Sequence, residues 1–321
     1  QEVDTLEILN GYELDYHDIQ YLENGGYILQ AYGKEEIDIP QTAHIDTSNI
    51  LILQEFDQSH NLIFEWKNSD HMDIEEYIDS FNLNANYLNW THGNSLEIDD
   101  DNNIIVSNRS MSEAIKFDRL SGELIWRLGG PANDFTFIDD PYDGPNRQHD
   151  IRRLDNGNLM IFDNGTSTGG GPGGGSTDRQ SRVAEYSLDE ESMTATLIWE
   201  YSHPEEYFAL NQGCSQRLDN GNTLISWGTV SGHGAIITEV NYEKQIVLEI
   251  EYPDEYHSYK VRKSDWEFAI NLIEGDINLD QFVDILDIIL GINYILQGDA
   301  PDPFSLYKFD LNKDAQINIS D

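Results

Sequence analysis

The chain has 321 residues, enough for one large domain or two unequal ones, and at 39% hydrophobic and 11% aromatic it can fill a core. Against 18 basic residues stand 60 acidic ones, a net charge of −42, so the surface repels nucleic acid and anionic membranes, both of which need clustered Lys and Arg. Cys214 is the single cysteine, which excludes an intrachain disulfide, and no apolar run approaches the roughly 18 residues of a membrane span.

The sequence opens on Gln1 without a signal peptide, as expected of a processed or trimmed product. "DTLEIL" (4–9) reads as an outer strand. A repeat then begins. "HDIQYLENGG" (17–26), "HGNSLEIDDDNN" (92–103), "HDIRRLDNGN" (149–158) and "GCSQRLDNGN" (213–222) align as a short strand followed by an acidic or Asn/Gly turn. An apolar strand follows each: "YILQAY", "IIVSNR", "LMIFDN" and "TLISWG". In the third copy the turn is a hairpin whose Asn156-Gly157 pair is expected to take positive φ.

Two further strand-like runs complete every unit, for example "NILILQEFD" with "NLIFEWKN" and "RVAEYSLD" with "TATLIWEY". Trp66, Trp126 and Trp199 recur in the fourth strand of the first three units. Four strands per unit, repeated, is the signature of β-propeller blades, so the predicted class is all-β. Between Asn164 and Arg182 lie seven glycines, which predict a loop: a lid or a surface insertion, and no phosphate loop, because no helix or Lys-Ser/Thr follows. "HSYKVRKSDW" (257–266) reads as the first strand of a further, closing element, which puts the propeller at residues 1–272.

The periodicity changes after Trp266. "DINLDQFVDILD" (276–287) and "DLNKDAQINISD" (310–321) place oxygen ligands at positions 1, 3, 5, 9 and 12 of a twelve-residue loop. Asp276, Asn278, Asp280, Asp284 and Asp287 fill the first; Asp310, Asn312, Asp314, Asn318 and Asp321 fill the second. Backbone carbonyls at position 7 come from Phe282 and Gln316. Such oxygen-rich cages suit Ca2+, and the two copies predict two ions. Gln281 and Ala315 replace the usual glycine at position 6, at a cost of roughly 1 kcal/mol each. A helix is predicted over 285–296.

Residues 273–321 resemble a dockerin module, α-helical and calcium-binding, here ending at its last ligand before a second helix. The resemblance implies a cohesin-like partner, with attachment to another copy of the chain also open. Ile285-Leu286 and Ile319-Ser320 stand at the positions through which dockerins pair.

In a propeller the first strand of each blade lines the central channel. His17, His92 and His149 occupy one repeat position in three blades, and Gly213 holds it in the fourth. Alternation places Asn94 on the side of His92. Arg109 ends the second strand of the same blade. Three imidazoles with a guanidinium predict a small anionic ligand; the plain alternative is packing inherited through the repeat. Asp18 and Asp150 should turn away from the channel as strand-start hydrogen bonders.

From about Tyr16 to Trp266 the chain resembles the arylsulfotransferase family, which works without a nucleotide cofactor. The carriers are "HDIQYLENGG", "THGNSLEIDDDNNIIVSNRSMSEAIKFDRLSGELIWRLGG", "RQHDIRRLDNGNLMIFDNG", "SRVAEYSLD" and "HSYKVRKSDW". The resemblance implies a six-bladed propeller with its site at the channel mouth. It makes His149 the nucleophile and His17, His92, Asn94 and Arg109 the rest of the catalytic set. It also implies transfer of a sulfuryl group from an aryl sulfate to a phenol through a sulfohistidine, with a protonated His92 or His17 assisting the leaving phenolate. An extracellular or periplasmic location follows. The competing reading is a non-catalytic secreted propeller for adhesion, surface assembly or polymer formation, attached through its calcium-binding tail. A metal hydrolase using the three histidines is weaker, since no carboxylate stands at ligand spacing.

Overall fold

The computed structural model describes residues 5–39, 45–80, 87–88, 90–166, 179–264 and 282–297. By contacts the chain divides into Gln1–Lys263 and Ser264–Asp321. The first unit is a β-propeller in which the described residues form four sheets, each with four antiparallel blade strands. Blade one is β1 (Glu13–Tyr21), β2 (Tyr27–Asp38), β3 (Ile45–Phe56) and β4 (Leu62–Lys67). A short helix α1 (Asn68–His71) and a 3-10 turn (Ile74–Ser80) follow, then β5 (Tyr87–Leu88), parallel to β3. Blade two is β6 (Gly93–Ile98), β7 (Ile104–Asn108), β8 (Glu113–Phe117) and β9 (Leu124–Gly129).

Blade three is β11 (His149–Arg153), β12 (Leu159–Asp163), β13 (Arg182–Asp189) and β14 (Thr194–Tyr201), with β10 (Thr136–Ile138) added in parallel outside β14. Blade four is β15 (Cys214–Arg217), β16 (Thr223–Ser226), β17 (Ile236–Val240) and β18 (Ile246–Glu251). Six blades stay an expectation of the resemblance.

The core lies between consecutive blades. Leu51, Leu53 and Trp66 of blade one pack on Leu96, Val106 and Phe117 of blade two. Trp126 and Ile105 meet Ile151 and Ile161 of blade three, and Phe162 and Trp199 meet Ile225 and Trp227 of blade four. The tryptophans of the fourth strands, Trp66, Trp126 and Trp199, are all buried. Each blade buries one face against the next, so alternation in the strands becomes radial stacking.

The four innermost hairpins share one geometry. Gly25, Asn102, Gly157 and Gly221 each take the left-handed conformation, at φ 82°, 65°, 82° and 84°. The residue immediately before each uses its side-chain oxygen to accept a backbone N–H: Asn24 from Gly26, Asp101 from Asn103, Asn156 from Asn158 and Asn220 from Asn222. In the third hairpin only Gly157 has positive φ. Asn156 serves through its side chain, not its backbone, which corrects the expectation for that pair.

Two other expectations change. Residues 5–9 form no strand; the Leu9 N–H is held by Gln54 Oε1 at 2.8 Å. Residues 257–263 form no strand either and lie along β15 through side chains: the Val261 N–H meets Cys214 Sγ at 3.1 Å and the Lys263 N–H meets Gln216 Oε1 at 2.8 Å. Residues 167–178 of the glycine-rich loop lie outside the described residues.

In the second unit α2 (Ile285–Gln297) is the helix expected over 285–296. No described helix is long and apolar enough to cross a membrane.

Candidate functional site

The His-Asp pairs explain how the innermost strands are joined. Asp18, in β1, accepts the Leu96 N–H of β6 at 3.0 Å. Ser95, in β6, accepts the Ile151 N–H of β11 at 2.9 Å. Asp150, in β11, accepts the Ser215 N–H of β15 at 2.9 Å. Each side chain thus supplies an acceptor to the next blade, from an Asp beside the histidine in blades one and three and from Ser95 in blade two. Asp150 is fully buried and pairs with Arg152 and Arg262 at 3.0 and 2.5 Å. Burial alone would raise its pKa, but Arg152, Arg262 and Lys260 outweigh that and hold it down at about 2.

The histidines themselves gather. The rings of His17 and His92 meet edge to face at 5.0 Å, and the Tyr259 ring touches both His17 (5.4 Å) and His149 (6.2 Å). His149 is buried without a carboxylate. Its Nδ1 faces Asn164 Oδ1 at 2.7 Å, while its Nε2 faces the Gln212 N–H at 3.2 Å. Asn164 Nδ2 donates to the carbonyls of Ala209 and Gln212, which turns Oδ1 toward the imidazole. The ring is therefore the Nδ1–H tautomer, with its lone pair on Nε2. Burial pushes its pKa down to about 3, and burial with His17 and Arg109 nearby pushes His92 down to about 4.

His17 is different. Its Nδ1 lies 2.5 Å from the Asp15 carboxylate. Asp15 precedes His17 by two residues on β1, a spacing that alternation alone makes readable. Tyr259 and Asn164 had no comparable signal.

Asn94 sits where the β6–β7 register shifts, and its Nδ2 donates to the Gln148 carbonyl at 2.8 Å, beside His149. Asn94 Oδ1 is buried without a partner. Arg109 follows β7; its N–H donates to the His92 carbonyl at 2.9 Å and its Nη2 to the Leu210 carbonyl at 3.2 Å. Its Nε is buried and unpartnered. Burial, then the neighbouring Arg147 charge, lowers its pKa. Gly213 cannot carry a fourth histidine: a Cβ there would lie 2.3 Å from the Phe162 ring, and φ is +101°.

A cavity of about 560 Å³ opens elsewhere, at the hairpin ends of β11 and β15. Its guanidiniums are already paired, Arg153 with Asp99 and Arg217 with Glu185, so the histidine cluster is the more reactive place. Among the described residues no three His, Cys, Asp or Glu side chains form a metal-holding group.

Of the calcium ligands, Asp276, Asn278, Asp280, Asp310, Asn312, Asp314, Gln316, Asn318 and Asp321 lie outside the described residues. Three are described. Asp287 is buried at the start of α2, where its Oδ2 accepts the Asp284 N–H at 2.8 Å. Asp284 Oδ1 accepts the Leu286 N–H at 2.8 Å. The Phe282 side chain is exposed. An all-oxygen set with a buried carboxylate at the last loop position fits a hard cation.

No curated protein matches the sequence. Among solved structures, a protein of unknown function from Bacteroides caccae is 11% identical with TM-score 0.42, over 76% of this chain and 84% of that one. PorZ, a surface component of the type-IX secretion system of Porphyromonas gingivalis, is 12% identical with TM-score 0.38, over 73% of this chain and 29% of its own. An alpha-L-arabinofuranosidase from Clostridium thermocellum is 10% identical with TM-score 0.35, over 78% of this chain and 70% of its own. The dockerin type I domain model matches residues 274–321. The arylsulfotransferase (ASST) model matches residues 3–261, and with the histidines, asparagine and arginine gathered at the inner strands, the chain belongs to the arylsulfotransferase family.

Proposed function

We propose that the protein is a secreted sulfotransferase that moves a sulfuryl group from an aryl sulfate to a phenol through a sulfohistidine on His149. The observation that carries this reading is the state of that imidazole. A neutral ring with Nδ1–H fixed on Asn164 presents its Nε2 lone pair as the nucleophile, and the Gln212 N–H facing it at 3.2 Å is a long bond that substrate can displace.

Nε2 attacks sulfur as the S–O bond to the aryl group breaks, and the phenolate takes a proton from His17. His17, whose Nδ1 stands 2.5 Å from the Asp15 carboxylate that orients it, is the proton carrier in place of the depressed His92. His92 and Asn94 serve as neutral hydrogen bonders, and Arg109 holds the sulfuryl oxygens. In the second half His17 takes the acceptor phenol's proton, the new S–O bond forms and the S–N bond breaks.

The C-terminal unit binds two Ca2+ ions through the residues named above and docks on a cohesin-like protein or a second copy of the chain. The dockerin match supports calcium binding and an extracellular setting. Calcium contributes charge neutralisation there and takes no part in transfer.

The test is labelling with a 35S-aryl sulfate. One acid-labile, base-stable label on His149 is expected in the wild type and none in His149→Ala, with an unchanged thermal midpoint. Normal turnover by the alanine variant would overturn the assignment.

A further inference from the structure

The chain contains ten arginines, in a molecule with 60 acidic residues. Eight of them meet a carboxylate: Arg119 with Glu55, Arg127 with Glu76, Arg153 with Asp99, and the others likewise. Among the described residues two do not, and these two are neighbours. They are Arg109 and Arg147.

Arg147 stands two residues before His149 and is only 8% exposed. No carboxylate, carbonyl or aromatic face receives its guanidinium among the described residues; the bond it makes is from its backbone N–H to Ser112 Oγ, at 3.1 Å. The same serine fixes Arg109, since the Ser112 N–H donates to the Arg109 carbonyl at 3.1 Å. One residue therefore pins both arginine backbones. Arg147 takes φ +56° and Ser112 φ +55°, left-handed conformations that cost stability and persist only where the surroundings enforce them. A buried cation without a counter-charge is likewise costly, and an acidic protein had ample carboxylates to offset it. Its charge is felt at the site, where it depresses both Arg109 and His92.

We infer that Arg147 is a second guanidinium for the sulfuryl group, so that Arg109 and Arg147 together form an oxyanion clamp for a sulfate monoester beside His149. The inference rests on the sulfotransferase reading and extends it. Two forks bind three equatorial oxygens better than one, and in a water-poor site they need no reorganisation as charge develops. The clamp is completed by substrate, which supplies the negative charge that the protein withholds.

The experiment uses the full chain with 4-nitrophenyl sulfate as donor and inorganic sulfate as a competing probe. Arg147→Gln should raise KM for the donor and the inhibition constant of sulfate about 10- to 100-fold, the range of a lost charged hydrogen bond. Arg147→Lys should recover part of the loss, with stronger inhibition by added chloride. Thermal midpoints serve as the control for folding. Unchanged KM and sulfate inhibition in a labelled, active Arg147→Gln enzyme would overturn the clamp and leave the sulfotransferase reading standing. A loss in Arg147→Gln that Arg147→Lys does not relieve at all would assign Arg147 to folding and overturn it too. If the wild type takes no label from the aryl sulfate, the reading falls and the clamp with it.

Discussion

His149 and His92 differ from His17 in what faces them. His149 is buried and makes no carboxylate contact, His92 is half-buried with Asp15 only partly offsetting its desolvation, and their pKa values are pushed down to about 3 and 4 from an ordinary 6.5. The reactive, neutral imidazole therefore persists far below the usual histidine range. Formation of the sulfohistidine in a single turnover, with 4-nitrophenyl sulfate as a donor that needs little proton help, should keep its rate from pH 8 down to about 5. A rate that halves near pH 6.5 would refute the protected nucleophile. Stability has the matching sign. Between pH 6.5 and 3 the unfolded chain binds protons that the folded histidines refuse, so stability is full above 6.5 and is lost as pH falls through that window.

At the scale of strands, the acceptors that link the blades differ in charge. Removing the buried Asp150 takes its carboxylate from Arg152, Arg262 and Lys260, which are then left together with only Asp18 and Glu97 to offset them, and orphans the Ser215 N–H. Removing the Ser95 hydroxyl orphans only the Ile151 N–H. Asp150→Ala should therefore cost about 3–5 kcal/mol in urea unfolding, and Ser95→Ala about 1–3 kcal/mol. Equal losses would mean that the charges contribute nothing beyond the backbone bond. The Asp150 contribution is present above pH 3.8 and is lost as pH falls toward 2, because its folded pKa is depressed.

Strands, hairpins and the α2 helix were legible because their signals are local: alternation, an Asn or Gly at each turn, a helical run after a ligand loop. What escaped the sequence depends on packing between blades. Asn164 orients His149 from the end of a neighbouring strand, Tyr259 reaches the cluster from a segment that makes no strand, and Arg147 is notable only for a missing carboxylate. Absent partners leave no pattern in one sequence. Asp15 was readable by its spacing from His17, and its role follows only from the 2.5 Å contact.

At the scale of the whole molecule, the proposed calcium sites predict that the two units answer differently to cations. In the propeller most arginines are consumed by pairs within and between blades, such as Arg152 with Asp18 and Arg217 with Glu185, which leaves the acidic surplus outside, where salt screens it. Its own apolar core is spread over three blade interfaces. The second unit has 58 residues, Ser264–Asp321, and concentrates ten acidic and amide ligand side chains in two loops. Without a cation those carboxylates repel one another, and so short a segment buries little apolar surface to oppose them. Ion binding there becomes folding free energy. In the full chain at constant ionic strength, EGTA should therefore abolish helical circular dichroism from α2 and open residues 264–321 to protease, while the propeller's thermal midpoint moves by less than about 2 °C. Calcium should restore the tail where magnesium does not, which separates coordination from screening. A tail indifferent to calcium would refute the ion sites, and a propeller that melted with it would refute the independence of the two units.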